Sequence, residues 1–165
     1  MPARDHNYIA SLFAGDGRFS CYVVDDLVLL TGNRTCDLLA FCNPYIVRRG
    51  SIEKLYFDLG LVVCNGCDTA ESCLIKNIQR GQYLALPITT PIENFPDMIV
   101  RDGEPSAWIM NQMFGMIEKY CLTRGEAIAM LSSDDPFVIR LRDANAGRVE
   151  DLVINLRRAP GSNST

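Results

Sequence analysis

The chain of 165 residues has a single histidine, His6, and it stands near the N-terminus. Catalysis through a serine–histidine or cysteine–histidine pair would require that end to be anchored, so it has little support. Neither a Gly-x-x-x-x-Gly-Lys-Ser/Thr loop nor a Gly-x-Gly-x-x-Gly fingerprint occurs, which removes the two phosphate cradles that a sequence announces most clearly. No apolar run approaches the roughly 18 residues of a membrane span, and the first residues, Met-Pro-Ala-Arg-Asp-His-Asn-Tyr, lack the apolar core of a signal peptide. Positive charge is also in short supply. Lys and Arg number 16 against 20 Asp and Glu, a formal net charge of −4, which argues against a general nucleic-acid-binding surface.

What is present describes a folded chain. Hydrophobic residues make up 48% and charged residues 22%, a balance that excludes broad disorder. The length suits one domain with a real core. We read residues 1–157 as a single α+β domain and 158–165 as a flexible polar tail. The seven cysteines are an odd number. With no leader in sight, the expectation is a reducing compartment, the cytoplasm, with thiols free or metal-bound.

The most informative stretch runs from Leu55 to Gly81. Leu55, Phe57, Leu59, Leu61 and Val63 alternate, and the opposite face is also largely apolar, which predicts a central strand. The Cys64-Asn-Gly-Cys67 turn follows, then Asp68 as a helix N-cap with Glu71 completing a capping box. Ala70, Leu74 and Ile78 share one helical face, and Gly81 suits the position past the helix end. Cys67 would then stand at a helix N-terminus, where free N–H groups favour a thiolate. The arrangement of strand, Cys-x-x-Cys and helix is similar to a thioredoxin-like redox site, with Asp58 six residues before Cys64; the likeness is confined to this turn. Cys64, Cys67 and Cys73 also supply three zinc ligands, with a fourth to come from Cys21, Cys36, Cys42, Cys121 or His6. The plainest alternative is that these cysteines fill space in the core.

Elsewhere the pattern predicts a short helix over 4–13 and a hairpin of Phe19–Val24 with Leu27–Thr31 around Asp25-Asp26. It predicts a short helix ending at Asn43-Pro44, a strand over Tyr45–Val47, and further strands over Gln82–Thr89 and Asp97–Val100. Helices follow over 105–121 and from Thr123, whose capping partner is Glu126. Phe137–Leu141 and Leu152–Leu156 read as paired strands. The irregular order of elements favours α+β, with a mostly antiparallel sheet packed against two or three helices.

The helix over 105–121 carries its main stripe at Ile109, Met113, Met116, Ile117 and Tyr120. Trp108, Met110 and Phe114 fall off that stripe, and an adaptable methionine-bearing surface suits a protein partner or a second copy of the chain. Acidic residues Asp25, Asp26, Asp58, Glu93 and Asp97 are available for carboxylate chemistry, but their spacing selects none. The segment Leu122–Leu131 with Phe137–Arg140 and Leu152–Leu156 resembles the opening third of an SH2 domain. That resemblance implies Arg140 on a strand as the phosphotyrosine-binding position, although Arg142 stands where the family usually has serine. We do not carry it further. The sequence reading leans away from catalysis. It points to a non-catalytic regulatory or adaptor domain that binds another protein or itself as a homodimer, through the Trp108, Met110 and Phe114 face. It foresees no membrane partner and no cofactor other than a structural zinc. Its alternative is a thiol-dependent function at Cys64 and Cys67.

Overall fold

Two strands of 12 residues, β4 (Leu38–Arg49) and β5 (Ile52–Val63), pair antiparallel from Leu38 opposite Val63 to Arg49 opposite Ile52. They form the spine of the fold in a computed structural model that describes residues 2–3, 6–32, 36–49, 52–64, 68–86, 98–101, 104–105 and 107–158. The sheet is antiparallel throughout, in the order β2 (Phe19–Val24), β3 (Leu27–Gly32), β4, β5, β7 (Met98–Arg101), β8 (Glu104–Pro105). A two-residue strand, β1 (Pro2–Ala3), joins β4, and β6 (Leu84–Leu86) joins β5. Six helices stand among the described residues, more than the two or three expected, and the fold class is α+β.

The helix expected to end at Asn43-Pro44 is instead the first part of β4. Leu38-Leu-Ala-Phe-Cys42 is apolar at every position, and all five residues are buried. That pattern suits a strand covered on both faces as well as it suits a short helix. Pro44 lies between the part of β4 that meets β3, at Cys42, and the part that meets β1, at Ile46 and Val47.

A second correction concerns the C-terminal third. Phe137–Leu141 and Leu152–Leu156 belong to helices α5 (Pro136–Ala144) and α6 (Arg148–Arg158), not to paired strands. Asp135 caps α5 by accepting the Phe137 N–H at 2.8 Å, and Pro136 opens it. In α6 the buried positions are Val149, Leu152 and Leu156, a helical spacing that the β-branched run conceals in a short window. Arg140 is therefore an exposed helix residue, and the SH2-like pattern has no strand to stand on.

The pleat of the sheet separates two cores. Leu30, Ala40, Cys42, Phe57, Leu59 and Leu61 face α1 (His6–Phe13), α3 (Ala107–Lys119), α4 (Arg124–Leu131), α5 and α6. Leu29, Leu39, Phe41, Val62 and Cys64 face α2 (Ala70–Gln79), which contributes Cys73, Leu74 and Ile78. The ends of the helices follow local chemistry. Thr69, one residue later than expected, caps α2 by accepting the Ser72 N–H at 3.1 Å, and Asp68 instead pairs with Lys76 at 3.5 Å. Gly81 takes φ 68 just beyond the helix, as glycine does there. The Thr123–Glu126 capping box closes as read from the sequence. No described helix is long and apolar enough to cross a membrane.

Among the described residues four cysteines are joined, where the sequence reading expects free or metal-bound thiols. Cys36 bonds Cys121 and Cys64 bonds Cys73, with Cα atoms 5.3 and 5.5 Å apart. The first pair is 85 residues apart in sequence. It forms because the start of β4 meets the segment after α3, where Leu38 and Leu122 make an isolated bridge. Residues 159–165, most of the expected tail, lie outside the described residues, as do Asn65, Gly66 and Cys67.

Candidate functional site

Of the thiol site expected at Cys64, Cys67 and Cys73, the structure brings the first and last together. Both residues are buried, and the bond between them pins the end of β5 to the first turns of α2. Asn77 donates to the Cys73 carbonyl at 2.8 Å and ties the same corner. Cys42 is a buried free thiol and Cys21 a half-buried one. Among the described residues no group of three or more His, Cys, Asp or Glu side chains is placed to hold a metal.

The expected interaction face is partly used at home. Phe114 is half-buried, meets Phe19 edge-on with centroids 5.7 Å apart, and carries the Arg18 guanidinium 5.0 Å above its ring. That guanidinium is held by Asp16 at 2.7 Å and by the Asn111 side-chain oxygen at 2.8 Å. Met110 is half-buried against the larger core. The side chain of Trp108 lies outside the described residues.

A different site emerges from the geometry of the second sheet face. An α-helix of 10 residues spans about 15 Å, whereas a strand of 12 spans about 40 Å. Helix α2 therefore covers one end of that face and leaves the other. The successive cross-strand pairs on this face are Leu39 with Val62, Phe41 with Gly60, Asn43 with Asp58, and Tyr45 with Tyr56. Leu39, Phe41 and Val62 lie in the core under α2. Asn43, Asp58, Tyr45 and Tyr56 lie beyond it and are half-buried.

Over the Asn43–Asp58 pair opens a cleft of about 440 Å³, with Leu27, Phe41, Tyr83 and Leu86 as apolar wall and Asn145 at the rim. Each wall is positioned for a local reason. A Cβ on Gly60 would collide with the Phe41 ring, so glycine lets that ring lie against the backbone of β5. Phe41 then meets Tyr83 edge-on at 5.9 Å. Arg148 donates to the Tyr83 carbonyl at 2.9 Å, with its guanidinium 5.8 Å from the ring centroid. The Asn145 amide donates to the Ala85 carbonyl at 2.7 Å and accepts the Ala85 N–H at 3.2 Å. It thus imitates a neighbouring strand and anchors α5 to β6.

Asp58 is the unusual group. Burial holds its carboxyl above the ordinary aspartate value of 3.8, because partial removal from water disfavours the charged form. Among the described residues no hydrogen bond or ion pair compensates the carboxylate. On the next pair along, Tyr45 and Tyr56 stack with centroids 5.9 Å apart and planes 19° apart. The Tyr45 hydroxyl is pushed up to about 12, first by burial and then by the Asp58 charge.

Comparison with protein-family models, with curated proteins and with solved structures finds no match for this chain.

One consequence for stability follows from the sign of the Asp58 shift. The native state holds the Asp58 proton more tightly than the unfolded chain, so stability falls as pH rises from 3.8 through the raised native value. Above that window the carboxylate is a standing cost. Asp58→Asn is expected to raise the urea midpoint at pH 7 and to flatten its dependence on pH just above 3.8. An unchanged midpoint at pH 7 would show that the carboxylate carries no burial cost. Sequence spacing did not single out Asp58, yet one signal was available. It is the only charged residue between Leu55 and Val63, and a charge within a strand apolar on both faces is rarely there for packing.

Proposed function

We propose that the protein acts by binding rather than by catalysis, as a regulatory or adaptor domain for a protein partner, and that it recognises that partner at the Asn43–Asp58 cleft. The observation that carries this reading is the half-buried Asp58 carboxylate, without a partner among the described residues, in an apolar-walled cleft. A volume of about 440 Å³ falls in the range of small-ligand pockets, about 300–1,000 Å³, and accepts one or two side chains of a partner. Polar groups that cost stability tend to persist where they serve recognition. The chemistry in the cleft is that of recognition: acceptor oxygens on Asn43 and Asp58, aromatic faces, and aliphatic wall. The α3 face contributes less to this reading, since Met110 packs inward against the larger core.

The test is a protein-observed NMR screen with a small library of neutral and charged fragments. Shift changes are expected to gather at Phe41, Asn43, Asp58, Tyr83 and Asn145. Shifts gathered instead around Met110 and Phe114, or a concentration-dependent dimer that protects them, would return the interaction face to α3 and refute the cleft reading.

A further inference from the structure

We infer that the cleft takes a basic side chain, the ammonium or guanidinium end of a lysine or arginine on a partner protein. This rests on the cleft being the recognition site and names what enters it. Three observations on separate residues converge on a cation. The Asp58 carboxylate lies on the floor without a partner among the described residues, so an arriving positive charge would satisfy it by a charge-assisted hydrogen bond. The Asn43 side chain stands directly across the strand pair from it and offers an amide oxygen as a second acceptor. Aromatic rings stand near the position: Phe41 and Tyr83 line the cleft, and the stacked Tyr45 and Tyr56 lie one pair further along the same face. Ring faces attract cations, and more strongly where water is partly excluded.

The fold already uses this chemistry internally. Arg148 lies 5.8 Å from the Tyr83 centroid and Arg18 lies 5.0 Å from that of Phe114. An anion has the opposite prospects, since it would have to enter beside an uncompensated carboxylate. A neutral apolar group would fill the wall but leave the half-buried Asp58 without a partner. A protein side chain fits better than a free amine. The cleft is laid on the part of the sheet face that α2 does not reach, and the half-buried Tyr45–Tyr56 pair continues beyond it, giving the stem and backbone of a partner a surface to lie on. The net charge of −4 favours the approach of a basic partner.

The probes are n-butylguanidinium, its neutral isostere n-butylurea, and butyrate, titrated into the full chain while the amides of Asn43, Asp58 and Tyr83 are followed by NMR. Capped peptides with a central arginine or citrulline form a second arm. The guanidinium is expected to bind about tenfold or more tightly than the urea, as a charge-assisted hydrogen bond implies, and butyrate to leave the cleft unmoved. Asp58→Asn should remove the preference for the cation while leaving the weak binding of the urea. Tyr56→Leu, which keeps the carboxylate, should weaken the cation a few-fold. The arginine peptide should bind more tightly than n-butylguanidinium, and the citrulline peptide should lose that advantage.

Equal binding of guanidinium and urea at the cleft would overturn the cation inference and leave the cleft reading standing. Cleft amides that no cation moves at millimolar concentration would overturn it too, with the fragment screen then deciding the cleft itself. An arginine peptide no better than the free guanidinium would show that the occupant is a small amine and not a partner protein.

Discussion

Cys36→Ser is expected to lower the stability of the oxidised protein by about 4 kcal/mol, with about 2–5 kcal/mol as the range seen for native disulfides. The bond closes a loop of 85 residues, and the chain-entropy account assigns a loop of that length about 4.6 kcal/mol. The Cys64–Cys73 bond closes only 9, which the same account puts at about 2.6 kcal/mol. A total stability of about 5–15 kcal/mol is usual for a domain, so the first loss alone moves the protein towards its threshold. The backbone contacts nearby do not involve the sulfurs: the Asp37 N–H donates to the Leu122 carbonyl at 2.9 Å, and the Leu122 N–H to the Leu38 carbonyl at 3.3 Å, and both are expected to remain in the variant. The effect therefore falls on the unfolded chain, which regains the freedom the crosslink removed. Urea titrations with and without reductant check this. The wild-type midpoint should drop sharply on reduction, whereas that of Cys36→Ser should drop only by the share of the shorter loop. Identical wild-type midpoints under both conditions would show that the bond contributes nothing.

Gly60→Ala is expected to destabilise the protein by about 1–3 kcal/mol, the usual cost of overfilling a packed core, and to close the cleft. The added methyl would collide with the Phe41 ring. That ring is only 4% exposed and packs edge-on to Tyr83. It escapes either towards α2, against Leu74 and Ile78 in the smaller core, or into the cleft that it lines. Both movements change the wall that faces Asn43 and Asp58. The control is Gly15→Ala, where an added Cβ meets nothing within 4 Å and the midpoint should scarcely move. Melting and urea midpoints give the cost, and the fragment-induced shifts at Asn43 and Asp58 report the cleft. A Gly60→Ala protein that is as stable as wild type and still binds at the cleft would show that Phe41 does not form its wall.

The local elements of this protein were legible because their causes are local. Alternation marks β5 and the β2–β3 hairpin, glycine past a helix end marks Gly81, and the Thr123–Glu126 pair announces α4. Where the cause is longer than the window, the reading failed. The apolar run of Leu38–Cys42 fits a short helix until the strands on either side of it are known. The triplets in α5 and α6 look like strands until Asp135, Pro136 and the spacing of Val149, Leu152 and Leu156 are weighed over whole helices.

The sequence by itself determined an acidic α+β chain, its central strand and its helix ends, because propensity, capping and hydrophobic period act over a few residues. Only the tertiary structure decided which cysteines meet, since Cys36 and Cys121 approach across 85 residues. It also decided that Asp58 is half-buried beyond the end of α2, because that helix is too short to cover the strand pair that carries it. Burial of a side chain depends on what lies above it, and that is settled by distant elements packing together, not by neighbours along the chain.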